Sequence, residues 1–172
     1  MSDDNFYRAL SQYAPALSRV AAGYVSDPQE QEDLLQEIYV ALWRALPTFR
    51  GESRELTFVL SVAHNRGISF ASRARRKAFL ELPYDIPDPT ANVDEEAERR
   101  ERAALLYAGI RRLPAAQRQA IMLHLEGLSG KEIAAAQATT ENNVNVRLNR
   151  ARTALRDLLG TLVADMNGGH DE

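Results

Sequence analysis

Cysteine is absent from the 172 residues. Disulfides, thiolate zinc sites and a thiol nucleophile are excluded with it. The three histidines, His64, His124 and His170, lie far apart, and neither E-x-x-H, G-x-S-x-G nor a phosphate-loop spacing occurs. No metal, cofactor or catalytic residue is therefore expected. No apolar run approaches the roughly 20 residues that span a bilayer. The opening MSDDNFYRAL has no basic-then-apolar signal pattern. The expectation is a soluble, cytoplasmic protein without direct membrane insertion. An overall excess of positive charge is also missing: the net charge is −3, so no global field announces nucleic acid. Internal repeats, low-complexity tracts and convincing strand patterns are lacking as well.

What is present is an ordinary soluble balance of 45% apolar and 26% charged residues, in a length that suits one domain or two small ones. The charge is unevenly placed. Asp3, Asp4, Asp27, Glu30, Glu32, Asp33 and Glu37 make the beginning acidic, whereas Arg73-Arg75-Arg76-Lys77 and Arg147-Arg150-Arg152 are basic. Such asymmetry points to separate faces for separate partners.

Nearly everything ordered reads as helix. A first helix is expected over Asn5–Tyr24. Asp27-Pro28 then gives an N-cap followed by proline at the first helical position. Leu34, Ile38, Leu42 and Leu46 follow at i, i+4 spacing, and Pro47 ends that helix. After a polar loop from Thr48 to Arg54, the next helix carries Leu56, Val59, Leu60 and Ala63 inward. From Leu82 to Asp94, Pro83, Pro87 and Pro89 sit among acids and small residues, which reads as a tether that packs against nothing. Helical periodicity resumes near Glu95 and runs to Leu113. Another helix after Leu113-Pro114 carries Ile121, Met122 and Leu125. The expected architecture is all-α: two small helical domains, 1–78 and 99–165, joined by a proline-containing linker over 79–98, with a disordered tail over 166–172.

The stretch GLSGKEIAAAQATTENNVNVRLNRARTAL, from Gly127 to Leu155, is the most informative. Ser129 and Glu132 have the spacing of a capping box, with Leu128 and Ile133 as the hydrophobic staple. Thr140 offers a second N-cap. On a wheel of 100° per residue, Val144, Leu148, Ala151, Leu155 and Leu158 share one face of the second helix. Asn142, Asn145, Val146 and Asn149 take the opposite face. A short helix, a tight turn and a longer helix with a buried stripe form a helix-turn-helix. Asparagine can pair bidentately with adenine in the major groove, and an exposed valine can touch a thymine methyl. Arg150 and Arg152 flank that face where phosphates would lie. The same face can also be merely solvated. Arg147 lies at the core edge, where pairing with Glu132 is expected ahead of base contact.

LPAAQRQAIMLHLEGLSGKEIAAAQATTENNVNVRLNRAR, residues 113–152, resembles the C-terminal domain of bacterial RNA polymerase sigma factors. DPQEQEDLLQEIYVALWRALPTFRGESRELTFVLSVAHNRGISFASRARR, in the first half, resembles the core-binding and −10-reading domain of the same family. The order and spacing match the two-domain extracytoplasmic-function (ECF) class, which has no middle domain. The resemblance implies that Asp33, Leu34, Gln36 and Glu37 dock on the clamp helices of the polymerase largest subunit, an acidic face meeting a basic coiled coil. It implies that Phe49 and Arg50, in the FRGES loop, help form a pocket for a flipped −10 base, with Asn65 below it. Arg66, Arg73, Arg75, Arg76 and Lys77 would then track the backbone beside the melted segment. Reading of the −35 element would fall to Lys131, Thr140, Asn142, Asn145, Val146, Asn149, Arg150 and Arg152. Implied partners are core RNA polymerase, through the clamp helices and the flap of the second subunit, promoter DNA, and an anti-sigma factor.

Departures from the family pattern are specific. Phe58 stands where tryptophan is usual. Gln137-Ala138 replaces a Leu-Gly pair at the helix-turn-helix turn, and Asn145-Val146 replaces a basic-then-small pair. The residues alone leave other readings open. One is a helix-turn-helix repressor or activator whose N-terminal half binds a ligand or dimerises. Another is a protein–protein adaptor that kept the fold and lost DNA binding.

Overall fold

The computed structural model describes the backbone of residues 2–80 and 95–168, and the side chains of residues 3–76 and 95–161. All regular structure among the described residues is helical: α1 (Ser2–Tyr24), α2 (Pro28–Ala45), a 3-10 turn (Leu46–Thr48), α3 (Glu55–Leu80), α4 (Glu95–Arg111), α5 (Ala115–Leu125), α6 (Gly130–Ala136) and α7 (Glu141–Gly168). The stretch expected to tether the halves, Leu82 to Asp94, lies outside the described residues. Of the expected linker range 79–98, its first two positions belong to α3 and its last four to α4. Residues 166–168, expected in the tail, are the last residues of α7.

The first half is a three-helix unit. Asp27 caps α2, its Oδ2 accepting from the Glu30 amide at 3.0 Å, with Pro28 directly after it. Leu34, Ile38 and Leu42 then enter a core with Leu17, Val20, Val59, Leu60 and Ala63. Removing one such leucine or isoleucine from water contributes about 1.5–3 kcal/mol. Glu55, the first residue of α3, accepts hydrogen bonds from Arg8 and from the Tyr13 hydroxyl (2.9 Å), both on α1. Those bonds hold the Glu55 carboxyl below its ordinary range, the Arg8 guanidinium being the main cause. Deeper in the unit, His64 is wholly buried and hydrogen-bonds the Tyr24 hydroxyl at 2.8 Å through Nδ1. Its Nε2 has no hydrogen-bond partner among the described residues. Gly67 lies flat against the Tyr24 ring, and a Cβ there would strike it.

In the second half, α5, α6 and the first turns of α7 form the helix-turn-helix, with the end of α4 against α7. Exposed Glu96–Arg100 and Glu98–Arg102 pairs support the outer part of α4, while Gly109 and Ile110 near its end are buried. The capping box at α6 is complete: Ser129 Oγ accepts from the Glu132 amide and the Glu132 carboxylate accepts from the Ser129 amide at 2.8 Å. The expected inward stripe of α7 is buried at Val144, Leu148, Ala151 and Leu155.

The unusual Gln137-Ala138 pair is accommodated in two ways. Gln137 anchors the turn through polar bonds, donating to the Ala116 carbonyl at 2.9 Å and accepting from Arg147 at 2.9 Å. Ala138 adopts φ +49°, a left-handed conformation in which its Cβ is strained.

The halves are not held apart. α1 packs against α4 and α5, and α3 packs against α5 and α6. The tether expected from the sequence joins two units that share a seam, made by side chains scattered too widely for periodicity to connect them.

Two stability measurements follow from this packing. Ala138→Gly relieves the left-handed strain and raises stability by roughly 0.5–1 kcal/mol, net of the added unfolded-state entropy, as an upward shift in Tm. Unchanged or lower stability would show that the turn carries no strain. Burial depresses His64 from its ordinary 6.5 to about 3. The unfolded chain therefore takes up a proton that the folded chain refuses, and stability falls as pH drops below the unfolded value. This one group gives a slope of up to about 1.4 kcal/mol per pH unit. Urea denaturation of His64→Gln, which cannot titrate, loses that part of the acid slope even though the variant is less stable overall.

Candidate functional site

Between α2 and α3 runs an open groove of ≈ 1010 Å³. Asp33, Gln36, Glu37, Val40 and Arg44 line it from α2, and Val62, Asn65, Arg66, Phe70 and Arg73 from α3. Acidic and basic side chains meet across it. Arg73 donates to Glu37 at 2.7 Å, Arg66 stands 4.0 Å from the same carboxylate, and Arg73 also lies over the Phe70 ring at 5.4 Å. Glu37 is thus an internal clamp between α2 and α3 as well as a surface group. Leu34, grouped with it from sequence, is wholly buried in the three-helix core. Its apolar spacing places it inward, so it packs α2 against the core and offers no surface to a partner.

Sequence reasoning missed Val40 and Trp43. They are half exposed, at 50% and 52%, and continue the Asp33 and Gln36 positions one heptad further along α2. Large apolar residues at this spacing, on the face expected to dock on the polymerase, were the available signal.

A second pocket, of ≈ 310 Å³, is formed by Thr48, Phe49, Arg50, Glu52, Ser53 and Phe58. Phe49 packs on Phe58 with ring centroids 4.9 Å apart, so the phenylalanine that replaces the usual tryptophan supplies the pocket's inner wall. Gly51, at φ +74°, lets the loop turn back over it. Asn65 is not part of this pocket: it is exposed two to three turns further along α3 and faces the α2–α3 groove. The helical rise carries it away from the loop. Arg75 and Arg76 are exposed beyond it, and Lys77 follows on α3 with its side chain outside the described residues.

On the helix-turn-helix, Asn142, Asn145, Val146, Asn149 and Arg150 are all exposed on α7, and Lys131 is exposed on α6. Thr140 accepts from the Asn143 amide at 3.2 Å, so its hydroxyl is engaged as the helix cap. Arg152 leans back towards α5, with Nη2 3.2 Å from His124 Nε2. Arg147 binds Gln137 rather than the expected Glu132. Glu132 is already occupied. Besides its capping role it accepts from Arg54 at 3.2 Å and Thr57 at 3.4 Å, both in the first half.

The comparisons with known proteins fit this geometry. Residues 9–77 match the family model for Sigma-70 region 2, and residues 103–155 match Sigma-70, region 4. Among relatives, the RNA polymerase sigma-E factor of Streptomyces antibioticus is 32% identical over 151 residues, covering 85% of this chain and 79% of the relative. The ECF RNA polymerase sigma factor SigX of Bacillus subtilis is 29% identical over 161 residues, 90% of this chain and 83% of the relative. Among solved structures, CnrH in complex with the cytosolic domain of CnrY aligns with TM-score 0.65 at 23% identity, covering 92% of this chain and 90% of that one. RpoE in complex with the anti-sigma factor NepR from Bartonella quintana aligns with TM-score 0.67 at 23% identity, covering 91% and 97%. The chain belongs to the sigma-70 family, as an ECF RNA polymerase sigma factor that binds core polymerase and directs promoter-specific transcription initiation. No helix among the described residues is long and apolar enough to cross a membrane.

The two acidic residues of α2 should separate on mutation. Asp33→Lys is expected to stay within about 0.5 kcal/mol of wild-type stability, as a surface change away from special features. Glu37→Lys sets a third cation against Arg66 and Arg73 and is expected to cost about 1 kcal/mol or more. Equal thermal stability of both variants would show that the Glu37 clamp contributes nothing.

Proposed function

We infer that the labour of initiation is divided among three surfaces of this chain. Core polymerase docks on the exposed α2 face, where Asp33, Gln36 and Glu37 supply the charge and polarity, and Val40 and Trp43 supply the apolar contact that Leu34 cannot. The melted −10 segment uses the Phe49–Phe58 pocket for an extruded base, with Arg50 at its rim. Asn65, Arg66, Arg73, Arg75, Arg76 and Lys77 on α3 contact the strand beside it. The −35 duplex is read by Asn142, Asn145, Val146 and Asn149, with Arg150 and Lys131 on phosphates. Thr140 serves chiefly to cap the reading helix. We also infer a cytoplasmic site of action, no catalytic chemistry in the chain itself, and control by an anti-sigma factor, a partner class seen with the similar RpoE.

The observation that carries this reading is the face of α7. Three asparagines and Val146 stand exposed there, and among the described residues Asn142, Asn145, Asn149 and Arg150 make no side-chain hydrogen bonds. A helix whose other face is buried presents them outward together, with their pairing capacity unspent. The division of surfaces is tested by one assay: specific initiation by purified protein with core polymerase on genomic fragments. Core binding without specific initiation would fault the assignment of the DNA-contacting surfaces, and initiation without core binding through α2 would fault the docking face.

A promoter library randomised at −35 then tests the reading face. Each bidentate asparagine–adenine pair is worth about 1–3 kcal/mol of discrimination. Asn145→Ala and Asn149→Ala should change which −35 base pairs are selected while −10 preference and spacing stay fixed. Arg150→Ala should weaken all promoters more evenly and lower the salt dependence. Identical selected sequences for wild type and both asparagine variants would reduce the amide face to a wet surface.

A further inference from the structure

A cluster of polar side chains joins the first turns of α1 to the start of α3. Glu55, the first residue of α3, accepts from both terminal nitrogens of Arg8, at 2.5 and 3.1 Å, and from the Tyr13 hydroxyl at 2.9 Å. Arg8 is itself held on α1. Asn5 accepts from its Nε and Nη2 at 3.2 and 2.7 Å, and Gln12 accepts from its Nη1 at 2.9 Å. A guanidinium forked onto a carboxylate fixes direction as well as distance. Tyr13 is partly buried against the core. Burial and the Glu55 carboxylate push its phenol above the ordinary range, so it stays a donor. Arg8 is exposed, and an exposed ion pair adds little to stability. So complete a network on the surface is better matched to holding a position than to holding the fold.

The position it holds is one end of the Phe49–Phe58 pocket. The pocket loop leaves the 3-10 turn, where the Phe49 amide donates to the Leu46 carbonyl at 3.1 Å and the Thr48 hydroxyl to the Ala45 carbonyl at 2.7 Å. It ends at Arg54, directly before Glu55. Between those ends, Arg50, Gly51 and Glu52 make no hydrogen bond among the described residues. The loop is a span between two anchors, and Glu55 is one of them. Phe58, the inner wall of the pocket, follows three residues later on the same helix, its amide donating to the Arg54 carbonyl at 3.2 Å. The direction of the first turn of α3 therefore sets how Phe58 meets Phe49, whose ring centroid is 4.9 Å away. Glu55 also brings a negative charge next to the loop. Left unpaired, it would repel a strand of phosphates arriving at the rim.

We propose that Arg8 and Tyr13 are positioning residues for −10 recognition: acting from α1 through Glu55, they fix the first turn of α3 and with it the shape of the pocket that takes the extruded base. The proposal rests on the assignment of that pocket made above. Neither residue lines the pocket. A recognition site has to be held within about 0.5 Å by side chains whose own rotamers are locked. Here the lock comes from residues 42 and 47 places earlier in the chain.

The test uses holoenzyme assembled from the full-length protein and core polymerase. The probe is a set of single-stranded non-template oligonucleotides randomised across the −10 element. Tyr13→Phe removes one hydroxyl and keeps the ring in the core. Arg8→Gln removes the fork. Each should lower the ratio between the best- and worst-bound base at the most selective position by about three- to tenfold, the factor that goes with one net hydrogen bond. Arg8→Lys keeps a charge on Glu55 and should retain more of that ratio than Arg8→Gln. Affinity for core polymerase and for −35 duplex should match wild type, whereas a role in the fold alone would lower all of them together. Wild-type base ratios in both Tyr13→Phe and Arg8→Gln, or a parallel loss of −35 binding, overturn the proposal. Phe49→Ala is the reference for the pocket itself. Selectivity lost in Phe49→Ala but kept in Tyr13→Phe and Arg8→Gln faults the positioning role alone. Selectivity kept in Phe49→Ala faults the pocket assignment, and the positioning role falls with it.

Discussion

A single buried cation organises this molecule. Arg118 has been taken out of water and given carbonyls and an aromatic face in place of a carboxylate. The Arg111 and Leu113 carbonyls it holds belong to the corner where α4 passes into α5, so the direction in which the helix-turn-helix leaves that corner depends on it. The ring it covers, Tyr24, is the one that hydrogen-bonds His64 and fills the space left by Gly67. A buried charge without its partners is costly. The α4–α5 corner, the end of α1 and the interior of the first half are consequently coupled through one guanidinium.

The functional surfaces are coupled to the scaffold in the same manner. Glu37 belongs to the acidic face proposed to dock on the polymerase and also clamps Arg66 and Arg73, which flank the groove where melted DNA is proposed to run. Glu132 starts α6 through its capping box and spends its remaining capacity on Arg54 and Thr57. Its carboxyl is lowered chiefly by the Ser129 backbone bond, so the acid stays ionised and available to both. Partners that compete for Arg73 or Arg54 therefore act on helix packing as well as on a surface. That is a physical route by which binding at one place changes the conformation elsewhere.

The amide-rich face of α7 shows how burial of one side of a helix sets what the other side presents. Val144, Leu148, Ala151 and Leu155 are drawn into the second core, which fixes the rotation of the helix. The asparagines opposite have no choice of direction. Gln137 performs in the turn what a leucine would have done by packing, and Ala138 accepts strain that a glycine would not.

Helices, caps and the outward face of α7 were legible in the sequence because they rest on local spacing: Asp27 before Pro28, Ser129 three residues before Glu132, leucines at every third or fourth place. Local rules act within one or two turns, and each of those elements is decided there. Periodicity also reported that Leu34 points inward, but its place in an acidic motif suggested a docking role that burial rules out. Only the tertiary structure decided that Glu132 meets Arg54 rather than Arg147, that Asn65 faces the groove rather than the Phe49 pocket, and that Arg111 caps the end of α1 through the Ala22 carbonyl, 89 residues away in the chain. Each of those is a contact between elements whose relative placement depends on the summed packing of all the others, and no spacing along the chain encodes it.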